Sequence, residues 1–502
     1  MILLSDLARA LDLPFHGTDV EVNGIAVDSR EVQPGDLFVA QRGAQADGTT
    51  FVPEAQGKGA VALCSTAPVP GMPTIVAPDP RGALPRLAAT LYRHPARELR
   101  LIGITGTLGK TSTALLVQSA LAAAGARVGV IGSLGVRVQG RVADTGMTTP
   151  DAPAIHRALR RMVEAGVTTA VLEVTSHGIA LRRVAGLSFA LGALTNLVPD
   201  EHLDFHGTAA NYLRTKARFF DMLEGGAPLV VNHDDGRVRS LVSEAGVAAR
   251  RPVITVSAHG DPDAAAAVIG LRCDAAGSAF ALEIRRPLPR MDGGTCPPGA
   301  LPLVLPVLGV HQVANAALAA VVALLAGGSP TSVTESVAEQ APIRRRLELV
   351  HQANPVVLDD TVGNPRAVEA VFETIRAIPH RALRIVFGIR GSRGPGINRR
   401  LGAALAATLQ QTTRPVQLVV TASEDTAGRR DRVRPEERDA LLEVLRAGQV
   451  TLVYEARLAD AMRRAMVGAG EGDLVLLLGA QGMDAAAGIA RGMLRGVRRP
   501  GE

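Results

Sequence analysis

The chain has 502 residues, 54 Lys and Arg against 48 Asp and Glu, and a net charge of +6. That length is too great for one hydrophobic core and predicts about three domains. The mild, scattered charge, with three Tyr, ten Phe and no Trp, excludes the stacking platform of a single-strand nucleic-acid binder and favours small anionic substrates. Cys64, Cys273 and Cys296 share no CxxC spacing and cannot all pair, which fits a reducing compartment. The N-terminal MILLSDLARALDLPF lacks a basic segment before an apolar core, and no apolar run reaches the roughly 18 residues of a membrane span, so a soluble cytoplasmic chain with no membrane partner is expected.

In chain order, residues 1–96 mix short β-like runs (VNGIAVDS, DLFVAQ, AVALC) with glycine turns and end at the Pro-bearing RHPAREL. The apolar LRLIGIT (99–105) predicts a strand, GTLGKTS (106–112) a glycine loop, and TALLVQSALAAAG a helix. In that order they form an anion cradle in which backbone N–H groups and the helix dipole face a phosphate chain. Lys110 would neutralise the outer phosphates and the Thr111 hydroxyl would hold Mg²⁺, so the segment predicts ATP binding. Ile104 stands where the strict Walker pattern begins with glycine, making this a shorter GTxGKT variant; a plain glycine turn with a chance lysine is the alternative.

From 97 to 343, β-branched runs (TTAVLEVTS, ALGALTN, PLVVN) alternate with alanine-rich helical stretches, the pattern of a wound parallel sheet. Residues 258–302, rich in Gly, Pro and Asp, read as an irregular β excursion. Glu173 ends TTAVLEVTS and His202 follows ALGALTN, so both strand ends bring them to the phosphate-loop edge, within reach of a metal near Thr111. Singly, such a Glu is as readily a cap, and a lone His a satisfied hydrogen bonder. From 344 to 502 the alternation restarts (VVLDD, RAVEAVFETIRAI, RIVFGI, a helix near 401–409, VQLVVTA, DLVLLLGA), predicting a separate doubly wound C-terminal domain.

The blocks GITGTLGKTS, MTTP (147–150), LEVTSHG (172–178), TNLVPDEHLDFHGT (195–208), YLRTKARFF (212–220) and DSREVQPGDLFVAQRG resemble the Mur ligases, nearest the branch that adds the third residue to UDP-N-acetylmuramoyl-L-alanyl-D-glutamate. The resemblance implies an α/β, three-domain, ATP-dependent amide ligase of peptidoglycan precursor synthesis; a monomer is expected. Residues 1–96 would form a small α/β domain binding the UDP substrate, 97–343 a central P-loop parallel-sheet domain binding ATP, and 344–502 a Rossmann-like ligase domain binding the incoming amino acid. The γ-phosphoryl group would pass to a substrate carboxylate, and the amine would attack the resulting acyl phosphate. Residue by residue, it assigns Gly106, Thr107, Leu108, Gly109, Lys110, Thr111, Ser112, Asn315, Arg346 and Asp360 to ATP. It assigns Lys110, Glu173, His202 and Lys216 to catalysis, and Thr111, Glu173, His202 and a carbamylated Lys216 to two Mg²⁺ ions. Val27, Ser29, Gln45, Ala46, Thr148, Thr149, Thr175 and Arg183 match contacts to the UDP substrate, and Arg393, Gly479 and Asp484 match contacts to the amino acid. From the residues alone, Lys216 reads as a surface helix lysine, Arg183 equally as a solvated arginine, and Asp360 nearly as readily as a turn residue.

Several departures from the family pattern fall in the C-terminal half. DYAHxP becomes DTVGNP (360–365), placing Gly363 where histidine is common; GIRGSRGPGINRR (388–400) keeps Arg393 but has Arg390 and Ser392 for Gly and Asp. DNPR is absent from TASEDTAGRRDRV (421–433), and GKGHE becomes GAQGMD (479–484), with Asp484 the nearest acid. Leu108 replaces an asparagine in the phosphate loop and Leu181 a substrate-side glutamine. A zwitterionic second amino group needs a paired acid, so losing DNPR argues against meso-diaminopimelate. Glu424, Asp425 or Asp484 facing a side-chain amine would suit L-lysine or L-ornithine. Two other readings remain: a Mur-like ligase with another carboxylate substrate, opposed by the DSR block, and an ATP-binding scaffold without activity, opposed by Lys110, Glu173, His202 and Lys216. Because Arg346, Asp360 and Arg393 lie on a different domain from the loop they serve, a large closure is expected.

Overall fold

Parallel strands need helical crossovers, and the alternation of apolar strands with helices builds three large sheets, beside two two-stranded pairs. The computed structural model describes residues 1–41, 47–198, 201–274, 277–340, 344–376 and 378–496. The N-terminal sheet runs Phe15–His16, Thr74–Val76, Ala62–Ser65, Asp36–Val39, Gly24–Ala26, parallel except for its first strand. The helices Leu4–Leu11 and Pro80–Leu91 bury Leu4, Leu7, Leu84, Leu87 and Leu91 with the sheet residues Leu37, Val39 and Ile75. The Asp79 side chain caps the second helix, accepting from the Gly82 N–H at 3.0 Å.

The central sheet has eleven strands, in the order Arg141–Ala143, Gly135–Val138, Val128–Gly132, Thr169–Val174, Arg100–Thr105, Leu191–Leu194, Leu229–Asn232, Val253–Ser257, Ala266–Asp274, Gly277–Ile284, Gly299–Leu305. The strands from Val128–Gly132 to Ala266–Asp274 pair in parallel, and both flanks are antiparallel. Residues 258–302 do hold a β excursion, with a register shift between Ile269 and Arg272 and a separate two-stranded pair, Leu288–Pro289 with Thr295–Cys296, but its long strands extend the central sheet. The alternation in Gly277–Ile284 and Gly299–Leu305 puts every second residue inside, and Pro287, Gly293, Gly294, Pro297 and Pro298 fall in the connection between them. Those inward residues join one core with Val310–Leu325, a helix apolar nearly all round because it lies between the sheet and Lys110–Ala123, while Pro330–Ala338 packs on Gly299–Leu305.

The C-terminal sheet runs Glu348–His351, Val356–Asp360, Asp473–Leu478, Ala382–Gly388, Val416–Thr421, Leu452–Glu455, with only the first pairing antiparallel. Leu452–Glu455 escaped the sequence reading because it is four residues long and only half-buried. The helix expected near 401–409 spans Pro395–Gln410. No described helix is long and apolar enough to cross a membrane. In the central sheet Arg100–Thr105 lies between Thr169–Val174 and Leu191–Leu194, so the glycine loop, Glu173 and Thr195–Asn196 emerge at one carboxyl edge.

Candidate active site

The phosphate loop is shaped by two glycines whose replacement would strain the backbone and displace a neighbouring side chain. Gly106 has φ +139° and a Cβ there would lie 2.0 Å from Thr195 Oγ1; Gly109 has φ +82° and its Cβ would lie 2.2 Å from Asn315 Oδ1. Gly109→Ala is therefore expected to displace Asn315 and weaken ADP binding by about tenfold or more, roughly 1.4 kcal/mol, as read by isothermal titration; unchanged affinity would contradict this geometry. Residues far along the chain hold the loop between them. The Leu108 N–H donates to Asn196 Oδ1 (2.9 Å), and its carbonyl accepts from Asn196 Nδ2 (3.0 Å) and Thr195 Oγ1 (2.6 Å). Position 108 thus serves through its backbone, which explains how leucine is accommodated where the family resemblance leads to asparagine being expected. Thr107 Oγ1 pairs with the Tyr212 hydroxyl at 2.6 Å and accepts from the Val198 N–H at 2.8 Å.

Two lysines converge beneath this loop. Lys110 Nζ donates to the carbonyls of Gly106 (3.0 Å) and Thr107 (2.8 Å). Burial lowers its pKa, Glu173 opposes that shift, and the nearby Arg346 charge adds to it. Lys216, the expected surface lysine, is only 2 % exposed. Its Nζ donates to Thr105 Oγ1 (3.0 Å) and the Gly106 carbonyl (2.8 Å), and burial with the charge of Lys110 pushes its pKa well down. Helical periodicity alone could not show that Lys216 faces inward, beside the also buried Tyr212.

Glu173 is 1 % exposed and sits at the centre of an oxygen-rich network. Its Oε2 accepts from Thr111 Oγ1 (2.9 Å) and Ser133 Oγ (3.2 Å), and its Oε1 from the Ser133 N–H (2.9 Å). A buried carboxylate against a hydroxyl is the donor chemistry that Mg²⁺ takes, so these residues fit the ion. The other expected ligands have partners of their own. His202 packs edge-on against His177 with ring centroids 4.7 Å apart, and Lys216 is bonded to the loop base. Among the described residues no group of three or more His, Cys, Asp or Glu is close enough to hold a metal. Ser133 and Asn196 were not read from the sequence, since each acts through a partner distant in the chain. Glu201 was also missed; it is buried with Oε1 unpartnered among the described residues and lines the cavity beside the loop.

That cavity, of about 670 Å³, is lined by Leu108, Gly109, Thr111, Ser112 and Asn315 from the central sheet's side and by Arg346 and Asp360 from the C-terminal sheet's side. Gly106, Thr107 and Lys110 do not line it. Asp360 is buried and accepts from the Leu347 N–H at 2.7 Å; burial lifts its carboxyl to about 6 against the opposing charge of Arg346.

Four of the eight residues expected near the UDP substrate join the Glu173 network. Thr148 Oγ1 lies 2.9 Å from Ser133 Oγ. Thr149 Oγ1 donates to the Glu173 carbonyl (2.8 Å) and accepts from the Thr175 N–H (3.1 Å), while Arg183 Nη1 donates to the Thr149 carbonyl (2.8 Å). Thr175 also caps the short helix that follows it, accepting from the Gly178 N–H at 3.0 Å. On the N-terminal sheet Ser29 Oγ donates to Glu54 Oε2 at 2.7 Å and Val27 is half-buried. Gln45 and Ala46 lie outside the described residues.

The acids expected at the acceptor side are mostly committed elsewhere. Asp484 pairs with the buried Arg345, which also donates to the Gly479 and Ala480 carbonyls and lies 3.5 Å from Asp359. Asp484 is thus a strut of the 479–484 loop, not a waiting counter-charge. Asp425 caps the helix Leu458–Met466, accepting from the N–H groups of Leu458 (2.7 Å) and Ala459 (3.1 Å). Glu424 alone of the three has no side-chain hydrogen bond among the described residues. Two departures from the family pattern compensate each other: Arg390 donates to the Gly363 carbonyl, and a Cβ at position 363 would lie 3.0 Å from Arg390 Nη1.

A glycine loop between a parallel strand and a helix, opening on a cavity shared with a second α/β domain, defines a phosphate-loop nucleotide enzyme. The Mur ligase middle-domain model matches residues 104–323, the Mur ligase glutamate ligase domain 345–481, and the Mur ligase family catalytic domain 21–87. The UDP-N-acetylmuramyl-tripeptide synthetase of Roseiflexus sp. is 36% identical, over 95% of this chain and 93% of that protein. The UDP-N-acetylmuramoyl-L-alanyl-D-glutamate--2,6-diaminopimelate ligase of Streptomyces avermitilis is 35% identical, over 97% and 94%. Among solved structures, MurF from Acinetobacter baumannii superposes with a TM-score of 0.69 at 18% identity, covering 98% of both chains, and MurF from Thermotoga maritima in complex with ADP with 0.67 at 18%, covering 95% and 97%. The chain belongs to the Mur ligase family of ATP-dependent, amide-forming ligases of peptidoglycan synthesis.

Proposed function

We propose that this enzyme adds an amino acid to UDP-N-acetylmuramoyl-L-alanyl-D-glutamate, with residues 1–96 holding the uridine nucleotide, 97–343 the ATP and 344–502 the amino acid. The observation that carries the reading is the cavity in which the phosphate loop faces Arg346 and Asp360 of the C-terminal sheet. A substrate carboxylate oxygen attacks the γ-phosphorus of ATP, ADP leaves, and the amine then attacks the acyl carbon, expelling phosphate. Two anions must meet in the first step, so cations decide its rate. Lys110, bonded to the carbonyls of the phosphate loop, and Arg346, on the facing wall of the cavity, would supply them. Thr111, Glu173 and His202 would hold Mg²⁺, which neutralises phosphate charge when bound. Lys216 joins that set as a carbamate: CO₂ adds to the uncharged amine with loss of a proton. Burial and the neighbouring Lys110 favour the uncharged amine.

Arg393 would hold the α-carboxylate of the incoming amino acid. With Asp425 and Asp484 committed, the preference for a diamine such as L-lysine or L-ornithine rests on Glu424. Phosphate release with UDP-muramoyl-dipeptide and each of L-lysine, L-ornithine and meso-diaminopimelate tests this directly. Release that depends on L-lysine or L-ornithine is expected; meso-diaminopimelate as the best acceptor would sink the diamine assignment, and no release with any would favour the scaffold reading.

A further inference from the structure

The loop carrying Arg393 is held by a buried acid that no part of the reaction yet uses. Glu437, on the third residue of the helix Pro435–Ala447, is 1 % exposed. A glutamate at this helix position commonly reaches back to the residue before the helix, and here Glu437 Oε2 accepts from the Arg434 N–H at 2.9 Å. It does more than that. The same carboxylate accepts from the backbone N–H groups of Ser392 (3.1 Å), Arg393 (2.9 Å) and Gly394 (2.7 Å), three consecutive donors from a different segment. Four backbone bonds hold its carboxyl below the usual range against the opposing effect of burial.

Other contacts fix the same loop. Ser392 has φ +58°, a left-handed backbone that the surroundings must enforce. Asn398, fully buried, accepts from the Arg390 N–H (3.2 Å) and donates to the carbonyls of Arg390 (2.8 Å) and Gly394 (3.3 Å). A Cβ on Gly391 would lie 2.1 Å from the Asp431 carbonyl oxygen, so the loop is also wedged against the 431–432 backbone. The outcome is a loop whose backbone is satisfied from within while Arg393 stands exposed.

We infer that Glu437 is the positioning residue of the acceptor site: its carboxylate gathers the 392–394 amides into one conformation and so presets Arg393 to receive the α-carboxylate of the incoming amino acid. This rests on the role proposed above for Arg393. A preset guanidinium binds without paying to order its loop, so the effect falls on amino-acid binding alone. The nucleotide cavity is lined by neither Glu437 nor Arg393.

Glu437→Gln keeps the side-chain volume but turns an amide N–H₂ toward donors. In the full-length protein, the KM for the most active of L-lysine, L-ornithine and meso-diaminopimelate is expected to rise by about tenfold or more. The KM values for ATP and UDP-muramoyl-dipeptide should stay within about twofold, and amide exchange across 391–395 should accelerate. Arg393→Gln should raise the same KM, and adding Glu437→Gln to it should have little further effect, because both act through one contact. An unchanged amino-acid KM in active Glu437→Gln protein, additive effects in the double variant, or unchanged exchange at 391–395 would overturn the inference. Should Glu437→Gln melt early, exchange in the intact wild type decides: 392–394 amides no slower than those of exposed turns would overturn it. No phosphate release by the wild type with any of the three amino acids would instead fail the substrate assignment, and this inference with it.

Discussion

Lys110→Ala is expected to lower kcat/KM for ATP-dependent ligation by about 10²–10³-fold, the loss that follows removal of one preorganised charge from a site of developing negative charge, roughly 2.7–4 kcal/mol. Among the described residues the lysine donates only to carbonyls of its own loop, Gly106 and Thr107. Those carbonyls leave its charge uncancelled, so it is ready for a phosphate chain. The loop itself is tied down separately through Asn196, Thr195 and Tyr212. The variant should therefore fold and melt close to the wild type while losing activity. Activity within tenfold of wild type would remove Lys110 from the catalytic role. Lys110→Arg should not rescue, because a planar guanidinium cannot occupy the place of a compact ammonium between two carbonyls.

Arg345→Ala is expected to produce the largest loss of stability, about 3–5 kcal/mol, as when one partner of a buried pair is removed. Arg345 is 6 % exposed and Asp359, its neighbour at 3.5 Å, is fully buried. Burial already lifts the Asp359 carboxyl to about 7 while Arg345 pulls it back down. Losing the guanidinium strands that carboxylate and frees Asp484 and the Gly479 and Ala480 carbonyls together. The expected fall in Tm is roughly 6–20 °C, at about 2–4 °C per kcal/mol for a domain of this size. Arg345 has φ +59°, a conformation that costs a residue with a Cβ about 1–2 kcal/mol. Arg345→Gly should therefore be milder than Arg345→Ala by about that amount, and Arg345→Ala with Asp359→Asn should recover part of the loss. A melting point within about 2 °C of wild type for Arg345→Ala would contradict the account of this strut.

What could be read from the chain was what lies close together in it. The strand, GTLGKTS loop and helix are contiguous, and their chemistry depends on local backbone shape, so the nucleotide cradle was legible. Glu173 was legible through its place at a strand end. Asn315, Arg346 and Asp360 were placed through family resemblance, and the structure brings them to the same cavity as the loop. The supports of that cradle were hidden. Asn196, Ser133 and Tyr212 work by hydrogen bonds to segments remote in sequence, and nothing in their local pattern says which partner they will meet. The acids of the acceptor side show the same limit: family resemblance and their placement in the chain put Asp425 and Asp484 among candidates, whereas one caps a helix and the other answers a buried arginine. In the fold, the antiparallel extension of the central sheet was obscured by the Gly- and Pro-rich turns between its strands, although its alternation is regular.

The most direct measurement follows oxygen. Using UDP-N-acetylmuramoyl-L-alanyl-D-glutamate labelled with ¹⁸O in the glutamate carboxylates, together with ATP, Mg²⁺ and the acceptor amino acid, released phosphate is analysed by mass. Ligation through an acyl phosphate transfers one carboxylate oxygen to phosphorus, so phosphate carrying a single ¹⁸O is the expected product. Amide formation accompanied by unlabelled phosphate would contradict phosphorylation of the substrate carboxylate, and with it the reading of this site as the phosphate grip of an amide-forming ligase.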